Sequence, residues 1–312
     1  MNNKVTIVMY HYVRDLKNSR YPNIKGLDTI IFEKQIQYLR SHFAVITMEE
    51  LLYAIDNKSK LPNNAALLTF DDGYIDHYTH VLPILLKYNL QGTFFIPAVI
   101  GNENIVLDVN KIHFILEKCN DIDNLKADIF NLLSKNRSQF DLKSNEFYYN
   151  KLAIANRFDT ADVIFVKRIL QAELNIKLRK LILDKLFSTY VSVSENVFSN
   201  ELYLNTNQIK AMVKCGMHIG AHGYNHYWHS QIDQNQQKIE IEQSVKFLNE
   251  IGVDLKYRTY CYPYGSYNEL TIDLLKQFDF KCAFTTIPDV ADIKLFNNFE
   301  LPRFDTNDLP FN

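Results

Sequence analysis

Leu67-Leu68-Thr69-Phe70-Asp71-Asp72-Gly73-Tyr74 is an apolar run that stops on two adjacent carboxylates and a glycine. Neighbouring side chains of a strand point to opposite faces, so paired carboxylates inside one are kept apart. At the C-terminal end of a strand, with Gly73 freeing the turn, both can reach one site from different angles. That placement suits one carboxylate on a metal and the other beside it as a base. Asp-Asp-Gly after a strand also serves as an ordinary turn, so its neighbours have to decide between the two.

Outward from this stretch, short apolar runs alternate with helical patterns. Val5 to Tyr10, Ala44 to Thr47, Leu67 to Phe70 and Gly92 to Pro97 read as strands. Phe32 to Phe43, Met48 to Ile55 and Tyr78 to Tyr88 carry apolar residues at helical spacing between them. The alternation resumes with a helix over Thr206 to Lys214, capped by Thr206 or Asn207. Strands follow at Met217 to Ala221, Tyr257 to Tyr262 and Lys281 to Thr285. A helix over Gln234 to Ile251 is stopped by Gly252, another covers Glu269 to Phe278, and Phe299 to Arg303 is a last extended piece. Repeated strand-helix units imply an α/β fold with a parallel sheet and right-handed crossovers. About seven or eight units fit a TIM-like barrel better than an open sheet, with sites at the C-terminal strand ends. Asp71, His222 and Pro263 fall at or just beyond such ends. Residues 101–205 break the rhythm and read as almost entirely helical. We therefore expect a barrel from residues 1–100 and 206–312, with a helical insertion at 101–205.

The chain has 312 residues, 47% hydrophobic and 22% charged, enough for a sizeable core. A net charge of -2 gives no basic excess that points to nucleic acid or an anionic membrane. No stretch approaches the roughly 18 apolar residues of a membrane span. Cys119, Cys215, Cys261 and Cys282 form no paired-cysteine spacing and read as reduced thiols. The N-terminus lacks a signal-peptide pattern, so a full-length chain would be cytoplasmic.

Two further constellations could carry chemistry. His218, His222, His226 and His229 stand within 12 residues after a strand. His222 and His226 are four apart, which on a helical turn puts both imidazoles on one face. Two such histidines and one aspartate would make an open three-ligand zinc set. His218 belongs to the strand and reads as structural, and His229 as a rim residue. In Tyr262-Pro263-Tyr264-Gly265, proline and glycine define a turn at a strand end. Such turns can aim a backbone N–H into a site, although most are only turns.

In this order the three pieces resemble the polysaccharide deacetylases, carbohydrate esterase family 4 or NodB-homology fold. Thr69 to Gly73 is similar to the family's first motif, and His222 with His226 after Ile219-Gly220 to its second. Tyr262 to Gly265 is similar to its third, and Gly92-Thr93-Phe94-Phe95-Ile96 to its second-strand sequence. The resemblance covers about residues 1–100 and 205–305. It implies a distorted TIM-like (β/α)7 barrel and metal-dependent hydrolysis of an N-acetyl group on a sugar. A cytoplasmic location would point to a nucleotide-linked or lipid-linked sugar, or a glycan unit before export, with surface-polysaccharide assembly as the setting. The resemblance assigns Asp71 as base, Asp72, His222 and His226 as ligands of a divalent metal, zinc before others, and the Tyr264 N–H as oxyanion donor. In Leu301-Pro302-Arg303 it implies an arginine that pairs with Asp71.

One departure stands out. The family's late Leu-x-His segment is missing, since no histidine follows His229. Met9-Tyr10-His11-Tyr12 resembles the subgroup in which an N-terminal Tyr-His supplies that histidine. First and last strands of a closed barrel are neighbours, so His11 is assigned as general acid. Two other readings remain open: an O-acetyl ester or other amide hydrolase on this fold, and a non-catalytic carbohydrate-binding protein. Tyr74, Tyr224, Trp228 and Tyr264 would suit a sugar face in the binding protein.

Overall fold

The computed structural model describes residues 2–101, 103–156 and 158–311. Its contacts divide the chain into two compact units. The first holds Met1–Ser19, Gly26–Ile105 and Ser199–Asn312, and the second Arg20–Lys25 and Val106–Phe198.

The first unit is a distorted TIM-like barrel. Strands Lys4–Tyr10, Ala65–Asp71, Thr93–Ile96, His218–Ala221, Thr259–Cys261 and Cys282–Phe284 follow one another in space, each parallel to the next. The ring closes through a seventh, irregular piece. Leu301 bridges Phe284 in parallel, and Phe304 and Asp305 then pair with Val8 and Met9. The last extended segment thus touches both ends of the sheet. A short antiparallel pairing of Ala291–Asp292 with Lys4 and Val5 fills the same seam lower down. Every residue of Ala65–Asp71 is buried, as a barrel strand with helices outside requires.

The barrel interior is tight. A Cβ on Gly220 would lie 2.5 Å from Phe95 Cε1 and 2.7 Å from Thr259 Oγ1. Gly220→Ala is expected to cost about 1–3 kcal/mol through overpacking, seen as a lower Tm in thermal denaturation. An unchanged Tm would show that Phe95 can move aside freely.

Two local expectations need correction. The helix Thr206–Lys214 is capped by Asn205, not by Thr206 or Asn207. The Asn205 side chain accepts from Gln208 N–H, and the Gln208 side chain bonds back to the cap, a reciprocal box that neither later residue can form. The predicted helix over Tyr78 to Tyr88 opens as a wide turn, His77–Val81, with Leu82 N–H bonded to His77 O before Leu82–Lys87 continues. Pro83 has no N–H to extend the usual ladder there.

The second unit is helical, with helices Asp108–Lys118, Ile122–Phe140, Asn145–Leu152, Ala161–Arg168 and Ile176–Tyr190. The short segment Arg20–Lys25 joins it from far away in sequence. Tyr21 packs edge-on against Phe114, with ring centroids 4.8 Å apart, and against Phe198 at 5.7 Å. No helix among the described residues is long and apolar enough to cross a membrane.

Candidate active site

Asp71 is the last residue of its strand, and the backbone then reverses through two left-handed residues, Asp72 at φ 73° and Gly73 at φ 64°. This turn brings both carboxylates to one site, against the alternation of a strand. Glycine is required at the second position: a Cβ on Gly73 would lie 2.6 Å from Ile100 Cδ1, besides its backbone strain.

Asp72 Oδ1 lies 3.4 Å from His222 Nε2 and 3.2 Å from His226 Nε2. The two imidazole nitrogens are themselves 3.2 Å apart. Asp72 Oδ2 accepts a 2.5 Å hydrogen bond from the Tyr74 hydroxyl, which orients the carboxylate. His222 Nδ1 faces the Cys261 carbonyl at 2.8 Å, so that nitrogen must carry the proton and Nε2 presents a lone pair. Asp72 Oδ1 receives no hydrogen bond from the described residues although it is buried. Two imidazoles and a carboxylate oxygen converging on one point are the donor set of a divalent transition metal. Burial opposes charge on Asp72, but His226 and His222 hold its carboxyl well below the usual range. Burial likewise opposes a proton on His222, and Cys261, then Asp72 and Asp71, still move its pKa up. A cation and that proton compete for the same lone pair.

The spacing of His222 and His226 works for a different reason from the one it suggested. No helix joins them. The loop turns through left-handed Gly223, φ 73°, and His226, φ 60°. Glu240 anchors it from the helix Gln234–Glu250, accepting from Tyr224 N–H and Asn225 N–H at 2.8 Å and from Asn225 Nδ2 at 2.7 Å. Burial raises the Glu240 pKa, and the bonds from Asn225 and Tyr224 offset part of the rise. Sequence reasoning missed Glu240. Its one signal was an acidic residue on the face that carries Gln237, Ile241 and Ser244 into the interior.

Asp71 has a separate partner. Arg303 donates from Nη1 to Oδ1 at 2.9 Å and from Nη2 to Oδ2 at 2.7 Å. Its other N–H groups reach Thr285 O, Thr69 Oγ1 and Cys261 Sγ, so all five guanidinium donors are used. Burial would raise the Asp71 carboxyl, but the Arg303 charge, then His222 and the Arg303 hydrogen bonds, bring it down to about 2. The Asp71 carboxylate is therefore ionised at any ordinary pH. Cys261 was not foreseen here. Its Sγ lies 3.5 Å from Asp71 Oδ2 and 2.9 Å from Arg303 Nη2. Asp71, His222 and Cys261 form a second cluster of ligand-type atoms. A cation there would face the guanidinium, so the Asp72 cluster is the better cation site.

His11 follows the first strand, with Nε2 3.9 Å from Asp71 Oδ2 and a side chain 40% exposed. Its carbonyl accepts from His77 Nε2 at 2.9 Å. Burial lowers the His77 pKa to about 4, which keeps that ring neutral. Tyr264 sits at φ 58° in the turn Pro263–Gly265. Its ring stacks on Trp228 at 4.7 Å and meets His226 edge-on at 4.6 Å. Asp71, Asp72, His11, His222, His226, Tyr264 and Arg303 are thus brought together at one end of the barrel.

Other expectations change. His229 is not a rim residue: it is fully buried, with Nε2 2.5 Å from Tyr260 OH, and burial lowers its pKa to about 3. Tyr74 is no part of a sugar face, since it is fully buried beneath Asp72. Tyr224 bonds through its hydroxyl to Glu103. His218 is structural as expected, with Nε2 3.0 Å from Thr259 Oγ1.

A polysaccharide deacetylase sequence profile matches residues 58–118 and 153–283, more than half of the chain, and the chain belongs to that family. It is 30% identical over 93 residues to YxkH of Bacillus subtilis, covering 30% of this chain and 31% of that protein. It is 40% identical over 75 residues to the poly-β-1,6-N-acetyl-D-glucosamine N-deacetylase of Staphylococcus aureus, covering 23% of this chain and 26% of that one. The matched stretches thus span under a third of these relatives' lengths. In fold the chain is similar to the Streptococcus pyogenes deacetylase PplD, with a TM-score of 0.59 at 17% identity over 98% of this chain and 93% of that one. It is similarly close to IcaB from Ammonifex degensii, at 0.56 and 19%, over 98% and 93%.

Proposed function

We propose that the protein is a metal-dependent N-deacetylase that hydrolyses an N-acetyl group on an amino sugar of a glycan. One observation carries the reading: the adjacent carboxylates have different partners. Asp72 converges with His222 and His226, whereas Asp71 is held ionised by Arg303. A binding protein needs no buried carboxylate kept as a base. The name of the Staphylococcus aureus relative supports a β-1,6-linked N-acetylglucosamine polymer as the first substrate to try.

Asp72, His222 and His226 would hold the metal, with zinc suited to two imidazoles and one carboxylate. Such an ion supplies Lewis-acid polarisation of the acetyl carbonyl and acidifies water. The chain's own groups do the rest. Asp71 takes a proton as a water oxygen bonds to the carbonyl carbon. The Tyr264 backbone N–H donates to the oxygen that gains charge. His11, close to Asp71 and partly exposed, gives a proton to the nitrogen as the C–N bond breaks. Acetate and a free amine result. The stacked Trp228 and Tyr264 rings offer a flat apolar face for a pyranose.

The test is acetate release from N-acetylglucosamine oligomers and an O-acetylated sugar, before and after chelation. Release from the amide, lost on chelation and restored by Zn²⁺, Co²⁺ or Ni²⁺, is the expected result. Full activity after exhaustive chelation would sink the metal assignment, and turnover of the ester alone would sink the amide.

A further inference from the structure

The helical unit contains a cavity of about 460 Å³ that plays no part in the chemistry above. Ile24, Leu116, Ile122 and Val163 give it apolar walls. Two carboxylates also line it, and they differ sharply. Asp159, with a side chain 6% exposed, accepts from Lys25 Nζ and Lys167 Nζ, each at 2.6 Å. Glu117, with a side chain 3% exposed, has an Oε2 that receives no hydrogen bond from the described residues. The Lys118 Nζ is 3.7 Å from that oxygen, beyond hydrogen-bond reach, and lies over the Tyr21 ring.

A buried carboxylate oxygen without a donor is costly, and a protein retains few of them. Here the deficit borders a space of the size that holds small ligands. An ammonium group answers it best, because it brings both a positive charge and three N–H donors. An anion would be repelled by Glu117, and the two lysines are already engaged by Asp159. Asn23, Asn120 and His113 add polar groups around the same space, which suits hydroxyls.

We propose that the helical unit binds a small polyol ammonium, a de-N-acetylated amino sugar, with its amine against Glu117. The ammonium follows from Glu117 alone, and the choice of an amino sugar rests on the deacetylase reading. The site would hold the product class of the reaction on residues that take no part in the chemistry.

Calorimetric titration of the full chain with glucosamine, and separately with N-acetylglucosamine, tests this. Wild type should bind glucosamine at a site that Glu117→Gln weakens by about tenfold or more, the range for a hydrogen bond to a charged group. N-acetylglucosamine should bind that site at least about tenfold more weakly, having lost the charge. Val163→Phe, which fills the cavity and keeps Glu117, should block binding as well. Acetate release by Glu117→Gln should stay at the wild-type rate. Equal glucosamine binding by wild type and Glu117→Gln overturns the proposal, as does absence of binding to wild type. A higher Tm for Glu117→Gln with unchanged binding overturns it too, since Glu117 is then only a tolerated defect. Glu117-dependent binding in a protein that releases no acetate would uphold the site and remove the deacetylase reading, so the two can fail separately.

Discussion

Asp71→Asn is expected to lower kcat for acetate release by about 10²–10⁴-fold, the range for loss of a positioned general base. Metal binding should persist, because Asp72, His222 and His226 are untouched. The same change carries a second effect. Asparagine offers Arg303 one carbonyl oxygen and turns an NH2 group towards the remaining guanidinium donor, leaving a buried positive charge uncompensated. Breaking one side of a buried ion pair costs about 3–5 kcal/mol. At this chain length that lowers Tm by on the order of 10 °C. Activity must therefore be measured well below the shifted transition. Arg303→Met should destabilise to a similar extent by stranding the Asp71 charge. The double variant Asp71→Asn, Arg303→Met should be more stable than the sum of the single losses allows, since neither charge is then left alone. It should remain inactive. Strictly additive losses would mean that the pair is not coupled as its bidentate geometry requires, and wild-type kcat in Asp71→Asn would remove Asp71 as base.

How much of this was legible in the sequence depends on what each residue contacts. The run Leu67 to Tyr74 could be read because strand, turn and carboxylates are contiguous. His222 and His226 could be read by spacing, yet a helix was the wrong agent: left-handed Gly223 and His226 swing the loop, and spacing cannot tell the two apart. Arg303 lies 232 positions from Asp71, and only the family resemblance connected them. Glu240, His77 and Cys261 were not legible as site residues. Each acts through a partner whose position only the folded barrel supplies: a loop for Glu240, the His11 carbonyl for His77, the Asp71–Arg303 pair for Cys261. A closed barrel was expected, but the residues that close it were hidden, because the pairing through Leu301 and Phe304–Asp305 is too short and irregular to show periodicity. Asn205 could have been found, since Asn205 and Gln208 have the spacing of a capping box.

The cluster around Asp72 makes the second large prediction, a graded loss of metal. His222→Ala or Asp72→Ala removes one of three protein donors and should weaken binding of Zn²⁺ by more than about 100-fold, the upper range for loss of merely supporting groups. Protein passed through a desalting column should then carry far less than one metal per chain, and acetate release should vanish with it. Glu240→Gln provides the graded control. It keeps all three donors and the approximate shape, but an amide in place of the carboxylate faces Asn225 Nδ2 and two backbone N–H groups with one acceptor fewer. The loop from Gly223 to His226 then loses its anchor, and affinity should fall by about 10–100-fold. Its activity should recover when Zn²⁺ is raised in proportion, whereas His222→Ala should not recover at any concentration. Tyr74→Phe belongs with Glu240→Gln, since it removes only the hydroxyl that orients Asp72. The order of the four variants separates the two roles. If His222→Ala retained full metal content while Glu240→Gln lost it, the ion would sit elsewhere, and the convergence of Asp72, His222 and His226 would be a buried hydrogen-bonding cluster.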